Sequence, residues 1–432
     1  MLNNNSSNKN INKNKILTIN TNFVKNLIGL TVFVDKISPV VKKYDRKIEN
    51  KLNKVTVDLV NITKEHYKQK IEEIEKSIKN TKDIKKKLKL EVKINNLKKK
   101  LKLGFKGLYK PFKIVISESI MTPALQASLL FKSSFVMLIS YFDFLIGDLV
   151  GNYHKKYPNK LLNADIKINL KDLVELENID EAISFVINNE VDTLLRQSLE
   201  EKKKYLKDKL NLDINEEIIN WDFVNEAVNI RNIIVHNNSR VNKQYLRNIK
   251  KLKDTNISLK ENEEIKITKD YFYKILYELY ITGIILIQTC WRYWDKNSIE
   301  EADNILKGDL NYLIVNNQFE FAEKLGLFSK KCKLFNEKNR LDLEFLYCQS
   351  LKSQNKKDKL EEEIKNNIDV SSLRPKNILK LSGLKNDAKL FYSNLKSAIV
   401  VDGVKKDYIM KNFFFKEICE DRDFLKNINA EF

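Results

Sequence analysis

Ten glycines and five prolines are all that punctuate 432 residues. Turns that need a left-handed backbone or a fixed φ use those residues first. A chain this poor in them has little room for the many tight reversals of an all-β fold. Between them run long charged and leucine-rich segments whose apolar residues recur at three- and four-residue spacings, the period of an amphipathic helix. The expected class is all-α. Hydrophobic residues make up 43% of the chain, so most of it can bury a core. At about 100–200 residues per core, 432 residues suffice for two or three domains.

The chain divides by pattern. Residues 1–15 are Asn/Ser/Lys low complexity with too little apolar surface to offset ordering, and are expected to be disordered. Residues 16–112 form an N-terminal helical arm. Within it Tyr67, Ile71, Ile74 and Ile78 are out of phase with Leu90, Ile94, Leu97 and Leu101 across Asn80–Asp83, which gives a helical hairpin or one interrupted long helix. Residues 16–60 mix apolar pairs such as Phe23-Val24 and Phe33-Val34 with lysines and are not assigned to an element. Gly104, Gly107 and Pro111 punctuate the chain, and Thr122-Pro123 offers a helix start. The segment 113–296 is a second, strongly apolar domain. Its runs Phe135–Val150 and Leu279–Trp291 are expected as buried helices, the first interrupted by Asp143 and Asp148, the second shorter than the ~20 residues of a membrane span. Residues 297–432 read as successive antiparallel helix pairs of tetratricopeptide-like unit length, lacking that family's full consensus and ending in a capping helix over Tyr408–Phe432.

One stretch carries more polar chemistry than packing needs. Trp221–Tyr245 begins as a helix whose apolar face includes Phe223, Val224, Ala227, Val228, Ile230, Ile234 and Val235, and Asn237, Asn238 and Ser239 stop it. Asn232 and His236 are i,i+4 neighbours on one face, while Arg231 and His236 lie five residues apart, about 140° around the helix. Arg231 must therefore swing round to meet His236, or the two line a cleft closed by a second subunit. A neutral imidazole can take a proton from a ribose 2′-hydroxyl near neutral pH. A guanidinium can hold the phosphate and stabilise its growing charge. Asn232 can orient either partner. Arg240, Lys243 and Tyr245 continue into a basic, aromatic-bearing loop suited to an RNA path. Asp143, in the most apolar part of its helix, reaches Arg231, lines a site, or makes an ordinary inter-helix hydrogen bond. His154, at a helix exit among charged neighbours, is expected on the surface.

Arg231-Asn-Ile-Ile-Val-His236 resembles the Arg-polar-x3-His signature of the HEPN superfamily, all-helical domains that are often dimeric, metal-independent ribonucleases. The flanks resemble it too. SSFVMLISYFDFLIGDLVGNYHKKYP, about ninety residues upstream, is similar to the family's first long apolar helix, and ENEEIKITKDYFYKILYELYITGIILIQ to its polar insertion and closing helix. The resemblance covers roughly residues 117–296. It implies RNA cleavage by 2′-hydroxyl attack, with His236 as base, Arg231 as phosphate clamp and Asn232 positioning the scissile group, in composite sites across a homodimer. It further implies a toxin–antitoxin or phage-defence setting, with a protein regulator or antitoxin as a further partner.

The formal charge of +20 suits a polyanion such as RNA, although Lys, Asn and Ile abound everywhere, as an AT-rich coding sequence would give. Cys290, Cys332, Cys348 and Cys419, with His66, His154 and His236, lack metal-ligand or disulfide spacing. The expectation is a cytoplasmic protein with neither cofactor nor metal, and no membrane partner. The competing class is a non-catalytic scaffold, in which the HEPN-like bundle only dimerises or binds RNA and the repeats bind a protein partner.

Overall fold

The computed structural model describes residues 15–102, 125–162, 169, 176–253, 259–421 and 423–432. Apart from Lys15, the expected N-terminal tail lies outside them, as do Gly104, Gly107, Pro111 and Thr122-Pro123. The described chain is all-α, its one non-helical pairing being the isolated antiparallel bridge Arg240–Glu264. Two compact units are present: residues 29–135, and residues up to 28 together with 136–432.

Helix α1 (Lys15–Lys79) is 65 residues long and continues through Pro39. Its first part has a clear periodicity, with Ile16, Ile19, Phe23, Leu27, Leu30 and Val34 at intervals of three and four, all buried. In the unit 29–135 the chain turns back after Lys79 into α2 (Ile84–Lys102). Asp83 starts α2 by accepting the Lys85 amide at 2.9 Å, the role of an N-cap carboxylate. Lys98 pairs with Glu75 at 2.9 Å, so of the two readings the sequence left open, the hairpin holds. Farther up α1, Asp45 accepts the backbone amides of Gln126 and Ala127, both at 2.8 Å, and so caps α3 (Gln126–Lys156) from outside that helix.

In the second unit the core is built around α8 (Lys269–Trp294), after α4 (Ile179–Leu195), α5 (Leu199–Asp208), α6 (Trp221–His236) and the short α7 (Lys243–Ile249). From Ile275 to Trp291 every residue of α8 but Thr289 is buried. Gly283 is essential to this packing, because an added Cβ would stand 2.2 Å from the Phe23 ring and 2.9 Å from Leu145. Among the described residues, α3 is the one helix long and apolar enough to cross a membrane by length and composition. It also buries Phe135, Leu138, Phe142, Leu145 and Leu149 against protein.

Beyond α8 come three helical hairpins, α9/α10 (Ile299–Val315, Phe319–Lys331), α11/α12 (Glu337–Ser353, Lys357–Asn367) and α13/α14 (Pro375–Lys385, Ala388–Asp402). Their turns are the same device used three times. Asn317, Asn355 and Asn386 each take φ 57°, and the next amide donates five residues back, Gln318 to Leu313, Lys356 to Leu351 and Asp387 to Ser382. This is the Schellman closure of a helix C-terminus. The unit runs without a break across residue 296, because Tyr277 stacks on Phe321, Tyr280 donates to Asp309 at 2.8 Å and Arg292 pairs with Asp303 at 2.8 Å. In place of the single capping helix expected over Tyr408–Phe432 there are short helices at Lys406–Lys411, Lys416–Cys419 and Phe424–Glu431, with Phe414, Phe415 and Phe424 buried.

Candidate functional site

Helix α6 begins where Asn220 turns its side chain back to accept the Phe223 amide at 2.9 Å, while the Asn220 amide donates to Glu278 on α8. Trp221, Phe223, Val224, Ala227, Ile230 and Ile233 bury the inner face. The helix ends at Asn237. Asn238 and Ser239 come next with φ of 46° and 61°, which no helix can continue through, and the Ser239 amide returns to Ile233. The chain beyond is tied to the far side of the insertion by Val241 donating to Glu263 and Ile265 donating to Ser239.

Burial of that inner face sets the direction of the three motif residues. Arg231 points towards α3, where its Nη2 donates to Asp143 Oδ2 at 2.7 Å. The other Asp143 oxygen accepts Lys202 Nζ of α5 at 2.6 Å. One carboxylate thus holds two cations, with side-chain exposures of 15% for Asp143, 5% for Lys202 and 23% for Arg231. Arg231 Nε is buried without a partner. Asn232 and His236 face solvent one turn apart, with no hydrogen-bond partner among the described residues, and Val235 beside them is 50% exposed rather than part of the apolar face. Within one chain, therefore, Arg231 and His236 are held apart as the 140° offset requires.

The other expected residues divide. Arg240 and Lys243 are exposed, with Arg240 Nη1 donating to the Asn262 carbonyl at 3.2 Å. Tyr245 is not on a surface path. Asn242 caps α7 rather than leaving a loop, and this turns the Tyr245 ring inward to 3% exposure. Burial, with the Glu226 carboxylate nearby, pushes its phenol well above the usual range. Glu226, itself fully buried, accepts the Tyr271 hydroxyl at 3.0 Å. His154 also departs from expectation: it is 3% exposed, with Nε2 at 2.8 Å from the Tyr205 hydroxyl, and burial lowers its pKa.

Lys202 is the member of the cluster that the sequence pattern did not reveal. Its trace was present, for Leu199, Lys202 and Leu206 share one buried helix face, and a lysine in such a row needs a carboxylate opposite. Among the described residues no three His, Cys, Asp or Glu side chains gather as metal ligands.

Comparison with known protein families, with curated proteins and with solved structures finds no match for the chain. The chemistry of the site therefore rests on its own geometry: an arginine braced by a buried carboxylate beside a second cation, and an amide and an imidazole open to solvent at the end of the same helix. A guanidinium can hold a phosphate and an imidazole can exchange a proton, but within one chain the two groups point apart.

Proposed function

We propose that the chain is a metal-independent endoribonuclease of HEPN type, with His236 as general base, Arg231 as phosphate clamp and Asn232 orienting the scissile group. The observation that carries this reading is the contrast on one helix between a positioned Arg231 and an unencumbered His236. A structural role for the arginine explains Asp143 but leaves His236 and Asn232 without a task. Arg240 and Lys243, both exposed beyond the helix, extend the phosphate path. Because Arg231 and His236 diverge within one chain, the working site is composite, each copy in a symmetric homodimer supplying part of it. The setting is a toxin–antitoxin or phage-defence system in the cytoplasm, restrained by a protein partner that the helical hairpins bind.

The second reading, a non-catalytic RNA-binding or dimerisation scaffold, draws on the same salt bridge, since Asp143 already occupies the guanidinium. Purified protein incubated with RNA in EDTA separates the two. The ribonuclease cuts RNA but not DNA and leaves a 2′,3′-cyclic phosphate, because the nucleophile is the 2′-hydroxyl. Cleavage that survives His236→Ala at full rate overturns the assignment. Expression of wild type should arrest growth where His236→Ala does not.

A further inference from the structure

A groove of about 1010 Å³ opens between the first turns of α1, the second half of α3 and α4. Phe144 on its wall follows Asp143 in sequence, but on a helix the two side chains point about 100° apart, and none of Asp143, Arg231, Asn232 or His236 lines the groove. Gly147 and Gly151, one turn apart on α3, let α4 pack closely: an added Cβ at Gly147 would meet Val191 at 3.2 Å and Leu195 at 3.3 Å.

The groove has an unusual set of side chains for one that serves only packing. Lys15, Lys25 and Lys155 reach it from two helices, against a single carboxylate, Asp148. Asn22, Asn26, Asn152 and Asn188 present amides from three helices. Burial pushes the Asp148 carboxyl up and Lys155 lies close enough to oppose this, while the other lysines and the asparagines have no hydrogen-bond or ion-pair partner among the described residues. Phe144 stands on the wall with 56% of its surface exposed, in a helix whose neighbouring apolar side chains Phe142, Leu145 and Ile146 are buried.

We infer that this groove binds a single-stranded segment of RNA, with Phe144 stacking on an unpaired base, the asparagine amides meeting base edges and the lysines holding phosphates. The inference rests on the ribonuclease reading for the choice of RNA as the nucleic acid. An acidic peptide would satisfy the lysines but leave the ring and four donor–acceptor amides unused. A duplex keeps its base faces stacked, out of reach of a side-chain ring, whereas a single strand offers them. Asparagine amides pair in two-pronged fashion with adenine, which favours A-rich strands.

The test uses the full-length His236→Ala protein, in which binding is read without cleavage. Fluorescence anisotropy with a labelled single-stranded RNA is compared with a duplex of the same sequence. Phe144→Ala should weaken single-strand binding at least about tenfold, the worth of one stacked base, and leave the duplex unaffected. The double change Lys25→Glu with Lys155→Glu should weaken it further and lower the slope of log affinity against log salt by about 1.4, two phosphate contacts. All three positions are exposed, so an unchanged circular dichroism spectrum is expected. Single-strand affinity equal to that of the parent in both variants overturns the inference, as does equal loss for single strand and duplex. Parallel cleavage assays on the otherwise unaltered protein separate the two levels. Groove-dependent binding without cleavage refutes the ribonuclease and supports the groove. His236-dependent cleavage with unchanged binding in the groove variants refutes the groove alone.

Discussion

Asp143 accepts a hydrogen bond from Arg231 at 2.7 Å across 88 residues of sequence, and the same carboxylate holds Lys202 at 2.6 Å. The pairing fixes α6 against α3 and decides where the guanidinium points. Asp143→Asn leaves two cations facing each other, one of them nearly buried. Stability should fall by about 3 kcal/mol, the lower end for a broken buried pair because Arg231 keeps some solvent access. Urea unfolding measures this, and Lys202→Met in the Asp143→Asn background should restore part of the loss. No recovery would show that the two cations do not repel.

His236→Ala should reduce cleavage by about 10²–10⁴-fold, the usual cost of a lost general base, with little change in RNA affinity. Arg231→Lys should be severely impaired as well, since an ammonium keeps the charge but neither the fork nor its geometry towards Asp143. Single-turnover rates on a defined RNA give both numbers.

Val235 is 50% exposed between Asn232 and His236 on the outer face of α6, where a symmetric partner is expected. Val235→Glu should convert a dimer to a monomer in analytical ultracentrifugation and lower cleavage in proportion. A wild-type protein that is monomeric at micromolar concentration and still cuts RNA would refute the composite site.

The three hairpin turns make a prediction about stability alone. Asn317, Asn355 and Asn386 hold φ 57°, a region in which a Cβ branch is strained and which asparagine tolerates better than alanine. Each Asn→Ala change should cost about 1 kcal/mol, and Asn→Gly close to nothing. The losses at Asn317 and Asn386 should add in chemical denaturation, whereas those at Asn355 and Asn386 should couple, because Lys352, whose carbonyl accepts the Asn355 amide, donates to the Gly383 carbonyl that accepts the Asn386 amide.

Acidity acts through buried carboxyls. Burial pushes Asp309 up to about 7, with Tyr280 opposing, and burial pushes Glu344 up to about 7 against Lys330. Both folded values lie above the unfolded carboxylate value of about 4, so the stability they contribute is complete below about pH 4 and is lost as pH rises towards about 7. Asp309→Asn should therefore gain on the parent in Tm between about pH 4.5 and about pH 7.5. A constant difference across that range would contradict it. His154 runs the other way, its pKa lowered by burial, so its share is present above about pH 6.5 and lost as the solution is acidified.

Helical class, the turn at Asn80–Asp83, the two apolar helices and the hairpin pattern after residue 297 were legible because each rests on periodicity within one element. The 65-residue α1 was not, although Ile16 to Val34 carry a clean three-four spacing. Pro39 and the lysines after it broke the pattern beyond that point. Asp143 was recognisable as a carboxylate needing a partner, and Arg231 was one of the alternatives. Lys202 was hidden because a lysine in a charged helix looks solvated until the helix is seen to bury Leu199 and Leu206. Tyr245 and His154 were placed outside for the same reason in reverse: charged sequence neighbours say little about the direction of a ring when a cap or a helix face turns it inward. Asparagine is so frequent in this chain that its three special positions carried no distinguishing mark.

A helix buried along nearly its whole length, as α8 is, allows no hinge between the helices before it and the hairpins after it. Removing the hairpins after residue 296 would strip the cover from Tyr277, Tyr280 and Trp291. Residues 136–432 should accordingly melt in a single calorimetric transition. A protease should find no early cut near residue 296, and a ligand gripping the hairpins should slow hydrogen exchange in α6 through the helix both share.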